Sequence, residues 1–381
     1  MNIISEYPCV TMAWLIVTVM VMMVMEAHAQ HRGASCQTAD DVAGVCDSLN
    51  KCPPLSRLLQ QVRSGTAPQD SLKVLQSSIC HFDNGEPLLC CSAGQATPTP
   101  TPPKPSQGVL PARCGHTRLA DRIIDGEDAP LSAWPWMVLL RGTVDGHLAW
   151  FCGGTILSEL FVLTAAHCFK PELKVDLHYA RIGEHTLSQN PDCEGADCAP
   201  IPQDITVAEI ILHPQYDTTC KECNDIALLK LSAPAQFDDI FVMPICLPVD
   251  PLLDLGFGEE EFVNKYVWAA GWGSTARDPS IKRQPDTLQQ VLLPLKNTEH
   301  CNSLKGNYPD PRMVLCAGGD GKDTCSGDSG GPITLFNGNT TKSFVVGVTS
   351  LGPVVCGTIN TQGIYTNVLY YMDWILRTMQ P

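Results

Sequence analysis

The chain has 381 residues, of which 44% are hydrophobic and 17% charged, so it carries enough apolar material for a sizeable core and too little charge for a disordered chain. At ~100–200 residues per domain, two or three domains are expected. The formal charge of −15 leaves no basic face for phosphates and excludes a nucleic-acid partner, while 19 cysteines exclude a reducing cytosol, where they would remain idle thiols.

Residues 1–29 read as a signal peptide. Ala13 to Met25 are uninterrupted apolar residues, and Ala27-His28-Ala29 follows as a small-x-small cleavage site. The stretch is shorter than the ~20 residues of a membrane span, and no Lys or Arg precedes it to hold it as an anchor. Secretion, with no membrane span retained, is the expectation. Removal takes Cys9 with it and leaves 18 cysteines, an even number that suits a fully paired disulfide framework.

Six cysteines then fall within residues 36–91: Cys36, Cys46, Cys52, Cys80, Cys90 and Cys91. So small a segment buries too little surface to hold itself together, and disulfides must staple it. Their connectivity is open from the sequence alone, except that adjacent Cys90 and Cys91 point different ways and take different partners. Residues 92–122 read as a linker. Ser92 to Arg113 contains six prolines without periodicity, which favours an exposed, semi-extended spacer.

From 123 to 381, short apolar segments rich in Val, Ile, Leu and aromatic residues alternate with Gly, Pro, Asn and Asp breaks. Strands are predicted at 134–140, 151–157, 225–231, 265–273 and 343–352, which places the region in the all-β barrel or sandwich class. One helix is predicted over 369–380, because Val368, Met372, Ile375 and Met379 recur at three- and four-residue steps. The first 122 residues carry nine basic and nine acidic side chains, so the whole negative surplus falls on the last 259. An acidic domain of this kind favours cationic substrate segments.

Three motifs carry chemistry. Asp323-Thr-Cys-Ser-Gly-Asp-Ser-Gly-Gly-Pro332 puts Ser329 on a glycine-rich turn, where backbone N–H groups can hold a developing oxyanion. A hydroxyl needs a base, and Thr164-Ala-Ala-His-Cys168 offers His167 behind an apolar strand. The imidazole in turn needs an orienting carboxylate, and Asn224-Asp-Ile-Ala-Leu-Leu229 places Asp225 at the head of another strand.

In the order His167, Asp225, Ser329, and with Gly271-Trp-Gly273, these motifs closely resemble the trypsin/chymotrypsin-type serine proteases over essentially all of 123–381. The resemblance implies a two-barrel fold with a C-terminal helix. Ser329 would be the nucleophile, His167 the base, Asp225 its orienting acid, and the N–H groups of Gly327 and Ser329 the oxyanion hole. Asp323 matches the pocket base that binds Arg or Lys, with Ser350, Gly352 and Gly363 at the pocket walls; Leu351 departs from the family's usual Trp. Arg122-Ile123 resembles the activation site of the family's zymogens, whose freed Ile123 amine would pair with Asp328.

The same resemblance implies the pairs Cys152–Cys168, Cys301–Cys316, Cys325–Cys356 and Cys114–Cys246. Cys193, Cys198, Cys220 and Cys223 remain; their close spacing admits zinc, but an oxidising compartment favours local pairs 193–198 and 220–223. Glu184 and the acidic loop 192–197 resemble a calcium loop. Pro202 stands where a second carboxylate is expected, which favours a solvated loop over calcium. The reaction itself requires no cofactor. Asn339-Thr-Thr341 is the one N-glycosylation sequon.

A six-cysteine unit ending in adjacent cysteines, then a linker and a trypsin-like domain, resembles the arthropod clip-domain serine proteases. That implies the pairs Cys36–Cys90, Cys46–Cys80 and Cys52–Cys91, and the long gap between Cys52 and Cys80 suits the helical clip subclass. Members act in haemolymph cascades on protein substrates such as prophenoloxidase, Toll-ligand precursors or downstream zymogens. An upstream activating protease and a serpin-type inhibitor are implied as partners. The rivals are a non-catalytic clip homologue, which the intact triad opposes, and a digestive trypsin, which the clip unit opposes.

Overall fold

The structure is a computed structural model, and it describes residues 34–38, 43–52, 55–56, 58–59, 71–83, 86–92, 110–117, 127–257, 262–263, 265–276, 283–297, 308–353 and 355–380. The signal segment 1–29, the Arg122-Ile123 junction and Cys301 lie outside the described residues. The chain divides into two compact units, Met1–Thr101 and Pro102–Pro381.

The first unit is a four-stranded antiparallel sheet in the order β1-β2-β4-β3, from β1 (Ser35–Gln37), β2 (Ala43–Ser48), β3 (Ile79–Asp83) and β4 (Glu86–Ser92), with helix α1 (Ser71–Ser77) before β3. Neighbours on a strand face opposite sides of the sheet, so Cys90 and Cys91 on β4 reach different partners. Cys90 bonds Cys36, Cys91 bonds Cys52, and Cys46 bonds Cys80. Gly44 is required where β2 crosses β4, because a Cβ there would meet the Cys91 carbonyl at 2.8 Å and the Cys90 sulfur at 2.9 Å. Apart from these cysteines the buried apolar residues among the described ones are Leu75, Leu88 and Leu89.

The second unit is built from two seven-stranded antiparallel sheets. The first has the order β12-β9-β6-β7-β8-β14-β13, from β6 (Met137–Val144), β7 (His147–Ser158), β8 (Phe161–Thr164), β9 (Asp176–Ile182), β12 (Gln203–Ile205), β13 (Val207–Leu212) and β14 (Ala227–Leu231). Between β9 and β12 the short hairpin β10 (Cys193–Glu194) and β11 (Asp197–Cys198) pairs Cys193 opposite Cys198, which are disulfide-bonded. The turn between β6 and β7 is Asp145-Gly146, both at positive φ (50° and 82°), the geometry a two-residue hairpin demands.

The second sheet runs β15-β18-β19-β20-β17-β16-β5. Its strands are β5 (Glu127–Asp128), β15 (Tyr266–Gly271), β16 (Gln289–Lys296), β17 (Val314–Gly318), β18 (Pro332–Asn337), β19 (Lys342–Leu351) and β20 (Gln362–Asn367). Because β15 also pairs with β16, this sheet closes into a barrel and leaves β5 on the outside. Its interior is filled by Val267, Leu293, Leu315, Ile333, Val346 and Tyr365. The all-β fold and C-terminal helix expected from the sequence are both present.

Several boundaries move. The strand predicted at 134–140 begins at Met137, since the Met137 N–H bonds back to the Trp134 carbonyl and turns the chain first. The final helix, α2 (Met372–Thr378), starts three residues late because Val368 to Tyr371 form a turn. Its Met372, Ile375 and Leu376 are buried as the spacing requires.

Candidate active site

The two sheets place three loop segments together. His167 lies on a single 3-10 turn (Ala166–Phe169) immediately after β8. Cys168 ties that turn to Cys152 on β7, and Thr164 Oγ1 donates to the Gly153 carbonyl at 2.8 Å. Asp225 precedes β14, and its carboxylate is almost fully occupied. One oxygen accepts the His167 backbone N–H at 2.8 Å; the other accepts its Nδ1 at 2.7 Å and also the Ser350 hydroxyl.

Asp225 is 1% exposed and His167 15%. Burial would push the Asp225 carboxyl up, yet the imidazole, the Ser350 hydroxyl and the His167 N–H hold it below its ordinary range. Burial likewise opposes a charged imidazole, but the Asp225 anion overcomes it and raises His167. Asp225 therefore stays ionised and fixes the proton on Nδ1, leaving Nε2 free to accept one.

Ser329 sits on the turn before β18, and every neighbour restricts it. Its carbonyl accepts the Gly153 N–H at 2.7 Å, and the next N–H, of Gly330, donates to Thr349 at 2.9 Å. Gly330 has φ 78°, and a Cβ there would strike Thr164 Oγ1 and the Gly153 carbonyl. The nucleophile segment thus packs directly on the strand that delivers His167. Among the described residues the imidazole bonds only Asp225. The N–H groups of Gly327 (φ 107°) and Ser329 donate to no protein group among the described residues, which leaves both for an oxyanion.

Asp323 is half-buried, but both its carboxylate oxygens are buried and accept no hydrogen bond of normal geometry among the described residues. Burial pushes it up to about 7. Gly363 faces it: a Cβ at 363 would come within 3.0 Å of the Asp323 carboxylate and 2.9 Å of the Tyr365 hydroxyl. At Gly352 a Cβ would meet only the Thr324 carbonyl at 3.9 Å, so that side stands open. Ser350 differs from a simple wall residue, because its hydroxyl is spent on Asp225.

Asp328 is held by backbone N–H groups. Its oxygens accept the N–H groups of Gly273 and Cys325, both at 2.8 Å, and a side chain at Gly271 or Gly273 would collide with them. A cavity of about 250 Å³ opens beside it, lined by Ala269, Ala270 and Val291 with Asp323 and Asp328 as its carboxylates. Polar Ser274, Thr275, Gln289, Gln290 and Lys322 also line it.

A calcium ion does not fit at Glu184. Arg181 Nη1 lies 3.1 Å from one Glu184 oxygen, and the other accepts the His185 N–H at 3.0 Å. Both oxygens of nearby Asp192 accept N–H groups, from His185 and Thr186. A hard cation needs six or more free oxygens and would face a guanidinium here. The Cys152–His167–Cys168 cluster is no metal site either, since the two sulfurs are bonded to each other.

The structure also contains the disulfides Cys114–Cys246, Cys220–Cys223 and Cys325–Cys356; Cys316 is disulfide-bonded, and Cys301 lies outside the described residues. Asn339 is exposed on the turn between β18 and β19. Sequence reasoning missed the Ser350 and Thr164 hydroxyls and the Arg181–Glu184 pair, because their partners lie far along the chain or carry no motif.

A sequence model of the trypsin family matches residues 123–375, and one of the regulatory CLIP domain of proteinases matches 36–91. The chain is 37% identical over 360 residues to the CLIP domain-containing serine protease HP8 of Bombyx mori, covering 88% of this chain and 93% of that one. It is 33% identical over 366 residues to phenoloxidase-activating factor 1 of Holotrichia diomphalia, covering 91% and 94%. The crystal structure of the Drosophila Grass clip serine protease of the Toll pathway matches with a TM-score of 0.59 at 32% identity, over 92% of this chain and 98% of that one.

Proposed function

The chain belongs to the clip-domain serine proteases of the trypsin family, and from that premise we propose that it is a secreted zymogen, activated by cleavage at Arg122-Ile123, that hydrolyses peptide bonds after Arg or Lys. It is a serine endopeptidase. The Ser329 hydroxyl attacks the scissile carbonyl while its proton passes to His167 Nε2. The two free N–H groups hold the oxyanion, the C–N bond breaks, and the imidazolium returns the proton to the leaving amine. Water then repeats the sequence on the acyl-enzyme and restores Ser329. Asp225 remains ionised throughout and stabilises the imidazolium.

One observation carries the specificity: a buried carboxylate, Asp323, without a side-chain partner among the described residues, in front of a glycine wall. Such a group is costly to ionise until a guanidinium or ammonium arrives. The activation reading rests on the cavity beside Asp328, into which a freed Ile123 amine would carry both an apolar side chain and a compensating charge. The cascade role follows the relatives, among them phenoloxidase-activating factors and a protease of the Toll pathway. We assign the substrate to that class, a zymogen or pro-ligand of an extracellular immune cascade, with an upstream activating protease and a serpin-type inhibitor as partners. Asn339 is the glycosylation site.

The test is direct. The full chain, intact and cleaved after Arg122, is assayed on peptides differing only in the residue before the scissile bond. Activity confined to the cleaved form and to Arg or Lys peptides is expected. An inert cleaved form, or cleavage after aromatic residues, overturns the reading.

A further inference from the structure

Three residues after His167 and three before Asp225, two opposite charges meet. Lys170 Nζ lies 2.6 Å from Glu222 Oε1, with the side chains 26% and 12% exposed. The pair joins the two segments that deliver the imidazole and its carboxylate.

The loop that carries Glu222 is tightly held. Cys220 and Cys223 are disulfide-bonded on either side of it, and Cys223 is fully buried. Glu222 and Asn224 both adopt left-handed backbone conformations, with φ 61° and 57°. Side-chain-bearing residues adopt these only where the surroundings impose them. The Glu222 N–H donates to the Asp217 carboxylate at 2.6 Å, and the Asp217 N–H donates back to the Cys223 carbonyl at 3.0 Å. Asn224 is fixed by the Gln215 carbonyl and the Tyr371 hydroxyl. So much constraint on one acidic side chain beside a catalytic dyad calls for a reason.

We propose that Glu222 is a positioning residue of the protease: clamped between Cys220 and Cys223, its carboxylate pins the Lys170 ammonium in an ion pair, so that no uncompensated charge faces the His167 imidazole. The inference rests on the serine-protease reading of the dyad. An unpaired Lys170 would oppose the imidazolium that forms when Ser329 gives up its proton, whereas an unpaired Glu222 would favour it even at rest and leave less free base. The charged and titratable groups facing this region are His167 and Asp225 of the dyad, Glu172 beyond Lys170, Tyr216 and Asp217 ahead of Cys220, and Tyr308 ahead of β17. Burial pushes the Tyr308 hydroxyl up to about 12 and raises Tyr216 further, so both stay neutral and Lys170–Glu222 supplies the adjustable charge.

The experiment uses the full chain cleaved after Arg122 and follows against pH the sulfonylation of Ser329 by phenylmethanesulfonyl fluoride. In that step the Oγ–S bond forms, fluoride leaves and the hydroxyl proton passes to His167. This probe is uncharged, so it reads Ser329 and His167 without involving Asp323. Glu222→Gln is expected to raise the rate near pH 6 relative to pH 8 by about two- to fivefold, and Lys170→Met to lower that ratio by a similar factor. The double variant is expected back within about twofold of the parent. Cys220→Ser with Cys223→Ser, which frees Glu222, shifts the ratio in the direction of Glu222→Gln. A loss of structure alone would move both single variants the same way. Shifts of equal sign, or none in either, overturn the proposal, and a parental profile in the cysteine double variant overturns the clamp. A parent that is never sulfonylated removes the protease reading, and the proposal with it.

Discussion

The two units of this chain solve the same problem by different means. Among the described residues the first buries only Leu75, Leu88 and Leu89 as apolar side chains beyond its cysteines, and three disulfides closing separations of 34 to 54 residues staple it. In the chain-entropy account each such closure contributes about 4 kcal/mol. The second unit has two filled sheets, and its disulfides serve mainly as local braces: Cys152–Cys168 holds the histidine turn and Cys325–Cys356 lies beside the Ser329 segment. Where burial suffices, covalent bonds are free to aim side chains.

The sharpest break is chemical. Ser329→Ala is expected to lower kcat on an Arg peptide by about 10⁶-fold with an unchanged melting temperature, measured on the cleaved chain. Asp323→Ser comes next, losing about 10²–10⁴ in kcat/KM for Arg peptides, because an arginine would then enter a buried site without its countercharge.

The pH dependence has a definite sign. Burial raises Asp323 to about 7 from its ordinary 3.8, so the stability contributed by this group is fully present below pH 3.8 and is lost as pH rises through 7. A cationic pocket ligand reverses that loss. Benzamidine should therefore raise the melting temperature more at pH 8 than at pH 5.5, and an equal increment at both would remove Asp323 from the pocket base.

Two smaller effects separate the units. Removing Cys46–Cys80 should cost the first unit about 4 kcal/mol and unfold it, seen as lost amide protection over 43–92, while cleavage of a small Arg peptide stays as it was. Chelation is the smallest. With Arg181 already on Glu184, EDTA should leave the melting temperature within about 1 °C, and a large fall would restore calcium to that loop.

Much of this was legible in the primary structure. The string around Ser329, the histidine behind an apolar strand and the cysteine spacing each carry their meaning within a few neighbouring residues. The strands at 134–140 and 225–231 were legible as segments but not in their limits, because Trp134 and Asp225 are taken into turns by long-range packing. Ser350 read as a pocket wall, yet its hydroxyl bonds a carboxylate 125 residues away. The Glu184 loop read as acidic, yet it is neutralised by Arg181 on β9.

Local chemistry, then, belongs to the sequence: which hydroxyl sits on a glycine-rich turn, and that the N-terminal unit must be stapled. These follow from backbone conformation and side-chain type over a few residues. The tertiary structure alone decided the pairings: Ser350 with Asp225, Lys170 with Glu222, and Asp323 set against Gly363 with no side-chain partner among the described residues. A charge buried by folding takes whichever partner the packed sheets bring near, and no spacing along the chain records that choice.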